Sequence, residues 1–81
     1  MKHRITNDFG FKLEIHFLDG SVYVYDDVIE LSFVNRYNLD YVFLLDKDFL
    51  FDLILLKDID RIFYKLPNEN QFECLEVSLC M

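Results

Sequence analysis

An Asp-Gly pair set between two alternating apolar runs is the feature that most constrains how this chain folds. Phe11, Leu13, Ile15 and Phe17 alternate with Lys12, Glu14 and His16, the period of a half-buried strand. Asp19-Gly20 follows, and Ser21 to Tyr25 alternates again. Asp-Gly suits the two positive φ angles of a type I′ turn, which predicts an antiparallel hairpin over 11–25. With Asp19 and Gly20 at the centre of the turn, Phe17 lies opposite Val22 and Ile15 opposite Val24. Both strands then turn one apolar face inward, and Tyr23, Tyr25 and His16 share the outer face.

The two-residue period recurs downstream. Asp26-Asp27 reads as a corner, after which Ile29, Leu31 and Phe33 alternate with Glu30 and Ser32 in a third strand. Residues 35–38 are a polar interruption. Leu39 to Leu45 begins by alternating and then turns apolar on both faces, which predicts a central or doubly covered strand. Asp46-Lys47-Asp48 supplies the next turn.

Residues 49–66 admit two readings. Phe49, Leu53, Leu56, Phe63 and Leu66 fit one helical stripe, with Asp48 as N-cap and Pro67 just beyond the end. The aromatic and Ile content, with Lys57-Asp58 as a corner, reads instead as two strands, and this reading is preferred. Leu75, Val77 and Leu79 alternate against Cys74, Glu76 and Ser78 in a closing edge strand. The expected architecture is one domain over 1–81, mostly β, a small antiparallel barrel or sandwich of five to six strands. The alternative is an α+β fold with a helix in 49–66.

Hydrophobic residues make up 53% of these 81 residues, too many for a disordered acidic chain and more than so small a body buries easily. Some apolar surface is therefore expected to meet another chain, a homo-oligomer included. Fifteen carboxylates against eight Lys and Arg give a net charge of −7, which repels phosphate and argues against direct nucleic-acid binding. Such a charge attracts a basic protein surface, or serves solubility alone.

Cys74 and Cys80 lack the spacing of a disulfide framework or zinc site, so a reducing cytoplasm is expected. Polar residues follow the basic Lys2-His3-Arg4 start, so no secretion signal is read. Charges break every apolar stretch well before bilayer length, and no membrane span is expected.

Candidates for chemistry are few, and the chain is expected not to be an enzyme. Asp26-Asp27, Asp46-x-Asp48 and Asp58-x-Asp60 lack the ligand pattern of a calcium loop, so no metal or cofactor is expected. His16 has no nucleophile or orienting partner legible beside it. Glu73 and Glu76 near Cys74 disfavour a reactive thiolate. Two glycines leave no phosphate-cradling loop. The tyrosines are better suited to recognition: Tyr23, Tyr25, Tyr37 and Tyr41 are candidate anchors, inside a candidate acidic rim of Asp19, Asp26, Asp27, Asp46 and Asp48. The same rings could equally cover a second side of the core.

The runs Leu13-Glu14-Ile15-His16-Phe17-Leu18-Asp19-Gly20-Ser21-Val22 and Leu55-Leu56-Lys57-Asp58-Ile59-Asp60-Arg61-Ile62 resemble small acidic accessory proteins of bacteriophages of low-GC Gram-positive bacteria. The resemblance implies a place in the host cytoplasm and a role like that of anti-CRISPR inhibitors of host defence nucleases. On that footing the chain is an acidic protein-binding module that imitates nucleic-acid charge and blocks a basic, nucleic-acid-handling protein. A structural or assembly subunit forming a homo-oligomer is the alternative.

Overall fold

The computed structural model describes residues 4–75. They form one antiparallel sheet of six strands: β1 (Arg4–Phe17), β2 (Val22–Arg36), β3 (Leu39–Asp46), β4 (Phe51–Leu55), β5 (Ile59–Lys65) and β6 (Glu73–Leu75). Their spatial order is β4-β3-β2-β1-β5-β6. The mostly β reading holds, and the helix alternative for 49–66 does not. That segment is two strands joined by a single 3₁₀ turn, Leu56–Asp58, where the Lys57-Asp58 corner was expected.

This short link bends the whole sheet. β4 and β5 lie four strand spacings apart along the sheet, about 19 Å if it were flat. The step from Leu55 to Ile59 reaches at most about 14 Å when fully extended. The sheet must therefore curl, and Leu56 is buried at the join. No pairing closes the curl between β4 and β5, so the sheet stops short of a hydrogen-bonded barrel. Phe11, Leu13, Ile15, Val28, Leu31, Val42, Leu44, Ile59, Ile62 and Leu75 fill the concave side with Leu56, and no polar side chain is buried among the described residues.

Paired bulges let the two long strands follow the curl. Between Thr6↔Glu30 and Phe11↔Val28, β1 carries more residues than β2. Between Phe11↔Val28 and Leu13↔Tyr25 the excess lies on β2. Gly10 and Asp27 adopt positive φ there, so Asp26-Asp27 is a bulge inside a continuous strand rather than a corner between two.

The first hairpin exists, but its register differs by one residue from the expected one. His16 pairs with Val22 and Ile15 with Tyr23. Gly20 N donates to Phe17 O and Phe17 N to Ser21 O, the bonding of a three-residue loop with Gly20 as its left-handed residue. Asp19 does not take the positive φ of a type I′ turn, because its carboxylate is committed to Ser21, accepting from the amide at 2.9 Å and the hydroxyl at 2.6 Å. A slip of one residue reverses every side chain on β2 near the turn. Tyr23 and Tyr25 thus lie on the inner side with Ile15 and Leu13, Tyr23 meeting Phe17 edge-on, while Val22 and Val24 point out with His16.

The type I′ geometry occurs in the next hairpin instead, where Tyr37 and Asn38 have φ of 54° and 64° between the paired residues Arg36 and Leu39. A left-handed backbone costs an L-residue other than Gly or Asn about 1–2 kcal/mol. Replacing Tyr37-Asn38 by Asn-Gly is expected to raise stability by about 1 kcal/mol. A urea midpoint that rises at constant slope would show it, and an unchanged or lower midpoint would refute it.

Candidate functional site

The loop between β3 and β4 repeats the bonding of the first hairpin. Phe49 N donates to Asp46 O, and Asp46 N to Leu50 O. The left-handed position held by Gly20 in the first loop is held here by Phe49, at φ 62°. Asp46 enforces the shape, its Oδ1 accepting from the amides of Asp48 at 2.9 Å and Leu50 at 3.1 Å. The Phe49 side chain is 75% exposed. A left-handed backbone at a bulky apolar residue held in solvent costs stability rather than supplying it.

Exposure continues into β4. Leu50, Phe51 and Leu53 are also exposed. Phe51 stacks on Phe43 of β3 at 5.9 Å between ring centres, and Phe43 and Leu53 line a shallow depression with Glu30, Ser32, Val34 and Arg36. The convex side of β3 and β4 thus carries an apolar strip, bordered by the polar Glu30, Ser32 and Arg36 of β2, that ends on an outermost strand among the described residues. Tyr25 and Asp52 line one depression with Val28 and Leu44. Burial first, then the Asp52 charge, push the Tyr25 phenol up to about 12. The phenol is therefore neutral across neutral pH.

The residues singled out from sequence fall into separate places. Asp27, Asp46 and Asp48 come together, because Lys47 N donates to Asp27 O and Lys47 Nζ stands 3.5 Å from Asp27 Oδ1. Asp26 lines a neighbouring depression with Gly10, Lys12 and Lys65, so these acids are interleaved with lysines rather than forming an unbroken rim. Asp19 lies apart, beside Phe17, Leu18, Tyr23 and Asp58, its carboxyl held below the usual range chiefly by the Ser21 hydroxyl and then by the Ser21 amide. Tyr37 projects from the β2–β3 turn at 94% exposure. Tyr41 is half-buried on β3 opposite Val34 and Leu55. Tyr23 and Tyr25 do not share the outer face expected of them, for the reason of register given above.

His16 is engaged locally, with Nε2 3.2 Å from Glu14 Oε1 and its ring edge-on to Phe63 at 4.9 Å. Cys74 is exposed, and Cys80 lies outside the described residues, as do Val77 and Leu79 of the expected closing strand. Among the described residues no three His, Cys, Asp or Glu side chains are placed to hold a metal ion. No helix among them is long and apolar enough to cross a membrane. No protein family, curated protein or solved structure matches the chain.

The strip formed by Phe43, Phe49, Leu50, Phe51 and Leu53 was not singled out from sequence. Its signal was the segment Phe49-Leu50-Phe51-Asp52-Leu53, where apolar residues occupy both parities of a strand. A five-residue strand with apolar side chains on both faces is either covered on both sides or exposes one of them. At the rim of a sheet, the second holds.

Proposed function

We propose that this chain is a protein-binding module, and that the β3–β4 loop with the convex side of β4 is its contact surface. The observation that carries this reading is the exposed run Phe49, Leu50, Phe51 and Leu53, displayed by a strained loop and an outermost strand. Aromatic residues of this kind are the usual anchors of protein interfaces, and soluble monomers rarely leave such strips uncovered. Asp46 and Asp48 stand beside them with Lys47 between, and the net charge of −7 favours a basic partner. A nucleic-acid-handling protein, blocked or regulated by the contact, fits that charge and the phage-like resemblance of the sequence.

Phe49→Gly separates function from folding. Removing the left-handed strain is expected to stabilise the domain by about 1 kcal/mol, since only Gly adopts that conformation freely. The same change removes an anchor and should reduce capture of a lysate partner at least about tenfold, a typical result for an interface aromatic. Phe51→Ala should reduce capture similarly with little change in stability. If a captured protein is retained equally by wild type and both variants, this surface is not the contact.

A further inference from the structure

The edge of β4 carries a second set of unsatisfied groups besides its side chains. Asp46 N donates to Leu50 O, so Leu50 turns its carbonyl toward β3. Antiparallel ladders alternate, and Asp52 and Ile54 therefore direct their N–H and C=O toward β3 while Phe51, Leu53 and Leu55 direct theirs outward. Among the described residues no strand lies beyond them, because β4 is the end of the sheet order. The pairing of β4 with β3 runs from Phe51 to Leu55 without a bulge, and the strand holds no Lys or Pro. Bulges, Lys and Pro are three devices by which natural edges avoid pairing, and this edge has none of the three. Its one charge, Asp52, is turned to the concave side beside Tyr25 rather than along the outer edge.

We infer that the partner binds by adding an extended strand to the outer edge of β4, using alternate apolar side chains against Phe51 and Leu53 and basic residues at both ends. This rests on the protein-binding reading above and names its mode. Main-chain bonds to Phe51, Leu53 and Leu55 supply affinity in such a complex, and the alternate side chains supply selection. Charge decides the occupant. An acid stands near each end of the strand, Asp48 in the loop before it, where the neighbouring Lys47 is turned to Asp27, and Asp58 beside Lys57 in the 3₁₀ turn after it. A second copy paired antiparallel about Leu53 uses every outward group, but it brings together two chains each carrying −7. A foreign strand with Lys or Arg at its ends meets the same acids as attraction.

The test uses the full chain labelled with ¹⁵N and a synthetic probe, Lys-Val-Thr-Val-Thr-Val-Lys. The probe is expected to shift the amides of Phe51, Leu53 and Leu55 and to slow their hydrogen exchange, with affinity falling as salt rises. Methylating alternate probe amides removes two or three hydrogen bonds without touching the protein, and should weaken binding about tenfold or more. Replacing both Lys by Glu should abolish it. Equal binding of methylated and unmethylated probes, shifts elsewhere, or no shift at millimolar probe would overturn strand addition. So would protection of the same amides without probe in a sedimenting dimer, which would give the edge to a second copy. If a lysate partner is captured through Phe49 yet is not displaced by a probe bound at β4, protein binding stands and strand addition fails.

Discussion

Leu13→Ala is expected to cost about 3–4 kcal/mol, roughly a quarter or more of the net stability of a domain this size. Leu13 is fully buried near the centre of the sheet, paired with Tyr25 on β2 and with Tyr64 on β5. Its neighbours on the concave side are held by ladders on two flanks, so they have little freedom to close over the space left by the missing carbons. A cavity persists, and its cost adds to the lost transfer free energy. A domain of 81 residues holds only about 4–12 kcal/mol of net stability in total. Leu53→Ala is the control, because Leu53 is exposed and its truncation should change stability by less than about 0.5 kcal/mol. Urea unfolding of both variants measures the contrast, and a Leu13→Ala shift below about 1 kcal/mol would show that the interior is looser than the buried side chains imply.

Much of this fold was legible because alternation is a local signal. Phe11 to Phe17, Ile29 to Phe33 and Leu39 to Leu45 each carry the period of two, and each is strand. Register was less legible, since it depends on which residue of a turn takes the left-handed conformation. Asp-Gly permits a two-residue and a three-residue loop, and the side-chain bonds from Asp19 to Ser21 select the second. The mistake then propagated to Tyr23 and Tyr25 by parity alone. The candidate surface was hardest to see. Phe49, Leu50, Phe51 and Leu53 look like core in one dimension, and only their place in the β3–β4 loop and on the convex side of the sheet leaves them in solvent. Which side of a sheet is convex is a property of long-range pairing, which no window of sequence contains.

Gly10→Ala is expected to destabilise the domain by about 2 kcal/mol or more, well beyond what the same change costs at Gly20. Both glycines have left-handed φ, +86° at Gly10 and +93° at Gly20, so the conformational part of the cost is shared. Their surroundings are not alike. A Cβ at Gly20 would meet nothing within 4 Å, whereas one at Gly10 would stand 2.8 Å from Lys47 Cε and 3.1 Å from the backbone Cα of Asp27. The lysine can move, at the loss of an exposed ion pair with Asp27 that contributes little. The Asp27 backbone cannot move freely, because it sits in the opposing bulge and its carbonyl accepts the Lys47 amide at 3.0 Å. Combining Gly10→Ala with Lys47→Ala separates the two contacts. If the double variant recovers nearly all of the loss, the lysine stem was the obstacle. If it recovers little, the obstacle is the Asp27 backbone, and the strain reaches the β3–β4 loop through the Asp27–Lys47 bond. Capture of a partner through Phe49 should then weaken in Gly10→Ala although no contact residue has changed. Equal destabilisation at Gly10 and Gly20 would instead show that close packing between the two bulges contributes nothing to stability.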